Sequence, residues 1–231
     1  MRLSPRLKVI ADYVKNNSSV ADIGTDHGYI PVYLIENNIS KKVIASDVNK
    51  GPLESARKYI GLKKLNHKID LRLGDGLRTL RPNEVDTVII AGMGGLLIKK
   101  ILEDGSKIAE TIDNFILQPM IASDELRKYL VKHNYKIIDE KLAKEGDKIY
   151  EVMLVGHGKD SIEDEIYFEI GKKLIENKDP LLKEFIQKKL KETEDILKKI
   201  KINESIKARE KLNIIKRKYE KLKEVLKSID C

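Results

Sequence analysis

Short runs of β-branched and aliphatic residues alternate with longer stretches whose apolar positions recur every three or four residues, up to about Gly158. Such alternation is the signature of repeated βα units around a parallel sheet. It predicts seven strands: Ser19–Ile23, Val43–Asp47, Asp70–Gly74, Thr87–Ala91, Phe115–Gln118, Tyr135–Leu142 and Ile149–Val155. Only Ala143–Lys148 separates the last two, too little for a crossover helix. They are therefore expected to form an antiparallel hairpin closing a Rossmann-like α/β sheet. Leu7, Ile10, Ala11 and Val14 precede the first strand at helical spacing, with Ser4 and Pro5 as cap and first-turn proline. Another helix is expected from Ile30 to Asn37, after the first strand.

Beyond Gly158 the strand signal stops. Ser161 to Cys231 reads as helix, interrupted at Asp179-Pro180 and again around Asn203 to Ser205, so three helices are expected. Ile186, Leu190, Thr193, Leu197 and Ile200 form one seam with alternating steps of three and four, and Leu212, Ile215, Tyr219, Leu222, Leu226 and Ile229 form another. Two such seams joined by a short break predict a coiled-coil hairpin, with a solvated helix or a dimerising coil as alternatives. The expected organisation is a catalytic domain over residues 1–158 and a helical domain over residues 159–231.

Charge sharpens this division. The 231 residues carry a formal net charge of +8. The stretch from Ile186 to Lys227 holds 15 basic and 7 acidic residues, so it accounts for a charge equal to that of the whole chain. A polyanionic partner is favoured, with a merely solvated basic face as the alternative. No run approaches the roughly 20 apolar residues of a membrane span. The start, MRLSPRLKVI, lacks a signal-peptide core, so a cytoplasmic location without membrane contact is expected. A single cysteine, Cys231, and four scattered histidines offer no metal cluster.

The candidate chemistry sits at the predicted strand ends. Ala21-Asp22-Ile23-Gly24-Thr25-Asp26-His27-Gly28 occupies the turn from the first strand into a helix, where glycines let a cofactor approach the backbone. A dinucleotide fingerprint would show GxGxxG; here only Gly24 and Gly28 are present, and Asp26 suits a sulfonium or amino group better than a pyrophosphate. Asp47 ends the second strand, where a carboxylate can accept ribose hydroxyls. Asp75 follows the third, placed for the exocyclic amine of an adenine. Each acid alone could be a helix cap or turn former; together, at three strand ends, they point to a class I methyltransferase. The fourth strand ends in Ala91-Gly92-Met93-Gly94-Gly95, a loop without the polar side chain that an exocyclic amine needs. It suits a nucleophilic ring nitrogen with an in-plane lone pair.

These segments together resemble a known family, the bacterial tRNA methyltransferases that modify N1 of the adenine at tRNA position 22. The resemblance rests on Leu3–Leu7 (LSPRL), Asp22–Pro31 (DIGTDHGYIP), Ala45–Leu53 (ASDVNKGPL), Gly74–Leu77 (GDGL), Ala91–Gly95 (AGMGG) and Leu117–Pro119 (LQP). It implies S-adenosylmethionine as cofactor and tRNA as partner. By the same resemblance, Asp22, Gly24, His27 and Gly28 would line the methionine end of the cofactor, Asp47 the ribose, Asp75 and Gly76 the adenine, and Gly92 and Met93 the transfer centre. Asn49, Tyr29 and Gln118 would belong to the rim. The expected reaction is in-line attack by adenine N1, with Asp26 stabilising the cationic product base. The alternatives are methylation of another RNA or a protein, a nicotinamide-dependent oxidoreductase, and a non-enzymatic RNA-binding protein. A monomer is expected, with a dimer through the C-terminal helices as the alternative.

Overall fold

A computed structural model describes residues 2–199 and 206–229. Helix α1, Pro5–Asp12, starts where Ser4 Oγ accepts the Leu7 N–H and Pro5 occupies the first turn. There follow β1 (Val20–Ile23), α2 (Tyr29–Glu36), β2 (Val43–Asp47), α3 (Lys50–Leu62), β3 (Ile69–Leu73), a 3-10 turn at Gly76–Thr79, β4 (Thr87–Met93) and α4 (Gly95–Asp104). The short α5 (Ser106–Ala109), β5 (Asn114–Pro119), α6 (Ser123–Lys132), β6 (Tyr135–Glu145) and β7 (Lys148–His157) complete the sheet.

The strands run in the order β3-β2-β1-β4-β5-β7-β6. The first five are parallel, β7 is antiparallel to β5, and β6 is antiparallel to β7. The expected Rossmann-like sheet with its terminal antiparallel hairpin is thus observed. Both hairpin strands extend beyond the expected limits, leaving only Gly146 and Asp147 between them.

Alternation in the buried strands sorts side chains onto two faces. Ala21 and Ile23 of β1 join a core with Ile98, Leu126 and Phe115, while Val20 joins one with Ile10, Ile30 and Ile60. Register then sets the site. Ile23 of β1 lies opposite Ser46 of β2 and Ile90 of β4, and Asp47 lies opposite Leu73 of β3. The carboxyl ends of these strands therefore emerge at one edge. The sequential order reverses between β1 and β4, and in open α/β sheets such a switch point opens the ligand crevice.

Arg127 of α6 is fully buried between Glu140 of β6 and Glu151 of β7. Burial opposes its charge, but the two carboxylates hold its pKa above the ordinary value. Glu151 also accepts a hydrogen bond from Ser123 Oγ at 2.7 Å, tying the loop after β5 to the hairpin.

The chain divides into two compact units, one reaching Ser161 and one beginning at Ile162. The second contains α7 (Ile166–Glu169), α8 (Lys172–Glu176), α9 (Leu182–Lys199) and α10 (Ile206–Ile229). Its first part differs from the single helix expected there, because Gly171 at φ 13, ψ 119 breaks it into two short pieces. Helices α9 and α10 pack on each other, and the predicted seams face inward: Ile186, Thr193 and Leu222 are buried and Leu190, Leu197, Leu212, Ile215 and Tyr219 are partly covered. Ile200, Cys231 and the break around Asn203 to Ser205 lie outside the described residues.

Candidate active site

Seven of the expected residues come together, the rim residue Tyr29 among them. Asp22, Gly24, Asp26, His27, Gly28 and Gly92 line one cleft of about 360 Å³ at the β1–β4 switch point, with Arg6, Thr25, Tyr29 and Met120. Gly24 leaves β1 at φ +81, a left-handed conformation that favours glycine, and its N–H donates to Ser46 O at 2.7 Å. Any Cβ on Gly24 would stand 2.0 Å from Cε of Met93. Gly28, at φ +69, is the N-cap of α2. The turn thus presents bare backbone and the first unpaired N–H groups of α2 to the cleft.

Asp22 is buried, and that burial raises its carboxyl pKa to about 6. A hydrogen bond from the Thr25 hydroxyl opposes the shift, and the charge of Asp47 adds to it. A desolvated carboxylate at the floor of a cleft is matched to a cationic ligand group such as an ammonium. Asp26 and His27 lie outside this dry floor. Asp26 retains 72% exposure of its side chain and stands 3.2 Å from His27 Nε2. The His27 ring stacks on Tyr29 with centroids 5.2 Å apart, and Tyr29 meets Tyr59 edge-on at 5.3 Å.

The remaining residues lie around this cleft. Asp47 is half-buried at the end of β2, with Oδ1 accepting the Asn49 N–H at 2.7 Å, and Asn49 caps α3. Asp75 and Gly76 line a separate hollow of about 80 Å³ against α4. The fourth strand runs on to Met93 instead of ending at Ala91 as expected; Met93 sends its side chain back over Gly24, so Ala91 and Gly92 are the residues at this end of β4 that line the cleft.

Gln118 is fully buried, and it acts as a bracket behind the cleft instead of forming its rim. Its Oε1 accepts hydrogen bonds from Arg6 Nη1 at 2.7 Å and from Gly92 N at 3.1 Å, while Nε2 donates to Pro119 O at 2.9 Å. In the sequence Arg6 stands out only as part of LSPRL, and Thr25 only within its motif. The guanidinium of Arg6 also sits 5.4 Å from the Tyr150 ring centroid and 3.9 Å from Glu145. Partners this far away along the chain explain why spacing alone gave Arg6 no role.

Residues 20–224 match the family model described as tRNA (adenine(22)-N(1))-methyltransferase. The chain belongs to this family. The tRNA (adenine(22)-N(1))-methyltransferase of Bacillus subtilis strain 168 is 40% identical over 158 residues, covering 68% of this chain and 66% of that protein. The chain thus aligns with slightly less than two thirds of that relative's length. The crystal structure of the B. subtilis m1A22 tRNA methyltransferase TrmK superimposes with a TM-score of 0.89 at 34% identity, over 97% of this chain and 99% of that one. M. capricolum TrmK, solved in complex with the cofactor product S-adenosyl-homocysteine, gives a TM-score of 0.81 at 31% identity, over 100% and 99% of the two chains. Membership in the tRNA (adenine(22)-N(1))-methyltransferase family removes the nicotinamide-dependent alternative.

Proposed function

We propose that the chain methylates N1 of adenine 22 in tRNA, with S-adenosylmethionine as methyl donor. The observation that carries this reading is the gathering of the β1 turn and Gly92 around one cleft, behind which Gln118 holds Gly92 in place. The residues present fit the cofactor. Gly24 and Gly28 leave backbone clear for close approach, and Asp22 offers the carboxylate that an amino group requires. Asp47 would accept the ribose hydroxyls, and Asp75 with Gly76 would hold the adenine. When bound, the cofactor supplies an electrophilic sulfonium methyl group for in-line attack by adenine N1.

The chain itself contributes positioning and electrostatics. Adenine N1 has no proton to lose at neutral pH, so no general base is assigned. The methylated base is cationic, and Asp26 at the open mouth of the cleft is the carboxylate assigned to stabilise it. Met93, seated on Gly24, shapes the transfer centre, and His27 belongs to the methionine side. Because N1 lies on the pairing edge, the base must leave its stack before it reacts. Residues 1–158 would carry out this chemistry, and the basic helices of residues 159–231 would grip phosphates of the tRNA. The proposed location is the cytoplasm, where tRNA is found; no helix among the described residues is long and apolar enough to cross a membrane. A monomer is the assigned state, with a dimer through the helical unit as the alternative.

The test is incubation of the purified protein with unmodified tRNA transcripts and radiolabelled S-adenosylmethionine, followed by nuclease digestion and mass spectrometry. Label on N1 of adenine 22 supports the proposal. Cofactor binding with label only on other RNA or protein would overturn it.

A further inference from the structure

Beside the cleft, the loop after β5 holds large apolar side chains in solvent: Met120 is 43% exposed and Ile121 73%. Leu96 and Leu97, at the start of α4, are also half exposed or more. The two segments are joined by backbone hydrogen bonds, from Met120 N to Met93 O at 2.7 Å and from Gly95 N to Ile121 O at 2.8 Å. A chain free to relax would fold such residues inward.

This loop is held open instead. Ala122 adopts φ +55, ψ 42, a left-handed conformation unfavourable for a residue with a Cβ. A Cβ on Gly95 would stand 2.2 Å from Ala122 O, so the two segments touch with no room between them. Ser123 is fastened to Glu151, itself paired with buried Arg127, and Gln118 bonds Pro119 on the other side. The apolar tip is rigid at both ends, and Met120 lines the same cleft as Asp26 and Gly92.

We propose that Met120 and Ile121 form a wedge for base extrusion. Ile121 enters the stack where the target adenine was, and Met120 forms an apolar wall against the extruded base. This inference rests on the reading of the substrate as an adenine within RNA. A base leaving its stack exposes two neighbouring aromatic faces, and an inserted aliphatic side chain covers both without reading their edges. A branched side chain without hydrogen-bonding groups, on a loop anchored at both ends, suits that task. It stands beside the site where the extruded base must arrive.

The experiment uses full-length protein, S-adenosylhomocysteine, and a tRNA transcript with 2-aminopurine in place of the target adenine. Wild type should raise 2-aminopurine fluorescence on binding, reporting unstacking. Ile121→Ser should abolish most of that rise and lower kcat for unmodified tRNA by about tenfold or more, with cofactor affinity unchanged. Ile121→Met, which keeps an apolar tip, should restore both. A transcript in which the target adenine is already unpaired and unstacked should bring Ile121→Ser to within about twofold of wild type. A wild-type fluorescence rise and rate in Ile121→Ser would overturn the wedge while leaving the methyltransferase reading intact. Weaker tRNA binding with an unchanged fluorescence rise, or a loss of self-association in sedimentation, would also overturn it, by assigning the loop to surface contact or to a second copy. Failure of the wild type to methylate any tRNA would overturn the functional reading and the wedge with it.

Discussion

The buried side-chain oxygen of Gln118 holds the backbone N–H of Gly92 at 3.1 Å, so the end of β4 that lines the cleft is shaped from behind by a residue of the neighbouring strand. That oxygen also receives Arg6, which brings α1 into the same bracket. Gln118→Met keeps the volume and removes these two bonds together with the buried one to Pro119 O. It should cost about 1–3 kcal/mol of stability, because water can reach the exposed Gly92 but the Pro119 carbonyl is left without its buried donor. It should lower the single-turnover methyl-transfer rate more than cofactor affinity. Thermal denaturation, rapid-quench kinetics and calorimetric titration check the three parts.

The role assigned to Asp22 would link cofactor binding to pH. Its carboxyl titrates near 6 in the folded protein, above the ordinary 3.8. The folded state therefore binds more protons than the unfolded state between these values, and stability falls as pH rises through that window. Above it the full penalty remains. Asp22→Asn should consequently be more stable than wild type near neutral pH, by about 2–3 kcal/mol, and nearly equal to it below about pH 4. Wild-type affinity for S-adenosylmethionine should weaken as the medium is acidified through about pH 6, and that dependence should vanish in Asp22→Asn, whose affinity is low throughout. Melting curves and calorimetric titrations across this range test both signs.

Asp26, exposed at the cleft mouth, is assigned to the developing charge on the base. Asp26→Asn should reduce the rate of transfer by about tenfold or more while changing the cofactor dissociation constant little. A cofactor-affinity defect with a normal transfer rate would remove Asp26 from catalysis.

Arg127 neutralises two carboxylates in the core. Arg127→Met leaves Glu140 and Glu151 facing each other without a cation, which should destabilise the fold by about 3–5 kcal/mol. Acidification should recover part of the loss in the variant, because protonation removes the repulsion. Urea denaturation at two pH values, for Arg127→Met and for the triple variant with Glu140→Gln and Glu151→Gln, measures it.

A chain ending at Ser161 should bind cofactor and fail to methylate tRNA. Full-length tRNA binding should weaken steeply with salt, because each neutralised phosphate releases counterions. Filter binding at increasing ionic strength, with methylation assays of both chains, decides whether the helical unit provides the grip.

The sheet was legible because each strand is a short buried run bounded by turn residues. Val43–Asp47 is found as expected, and the expected Gly24 and Asp75 follow the ends of β1 and β3. Period failed where it is ambiguous. Ile166, Ile170 and Leu174 are spaced for one helix and all are buried, yet the backbone turns at Gly171. The supports of the site were hidden for another reason. Arg6 finds Gln118 and Glu145 more than a hundred residues away, and Arg127 finds Glu140 and Glu151 on two strands of a hairpin. No local pattern marks such partners. The exposed Met120 and Ile121 follow Leu117–Pro119 directly and resemble any other apolar pair in sequence; only their exposure in the fold sets them apart.

Helix α1 leaves the ribosome ahead of every strand of the sheet, yet it packs on β6 and β7, and Arg6 donates its backbone N–H to Glu145. During synthesis Ile10 can pack early with Val20 and Ile30, but the contacts of α1 with the hairpin wait until five strands and their helices have emerged. Gln118 of β5 can take the Arg6 guanidinium, but the Arg6 wall gains its last anchor, Glu145, only once the hairpin has emerged. A nascent chain can thus lay down the whole parallel half of the sheet without presenting a finished cleft, and completion of the cleft coincides with completion of the sheet.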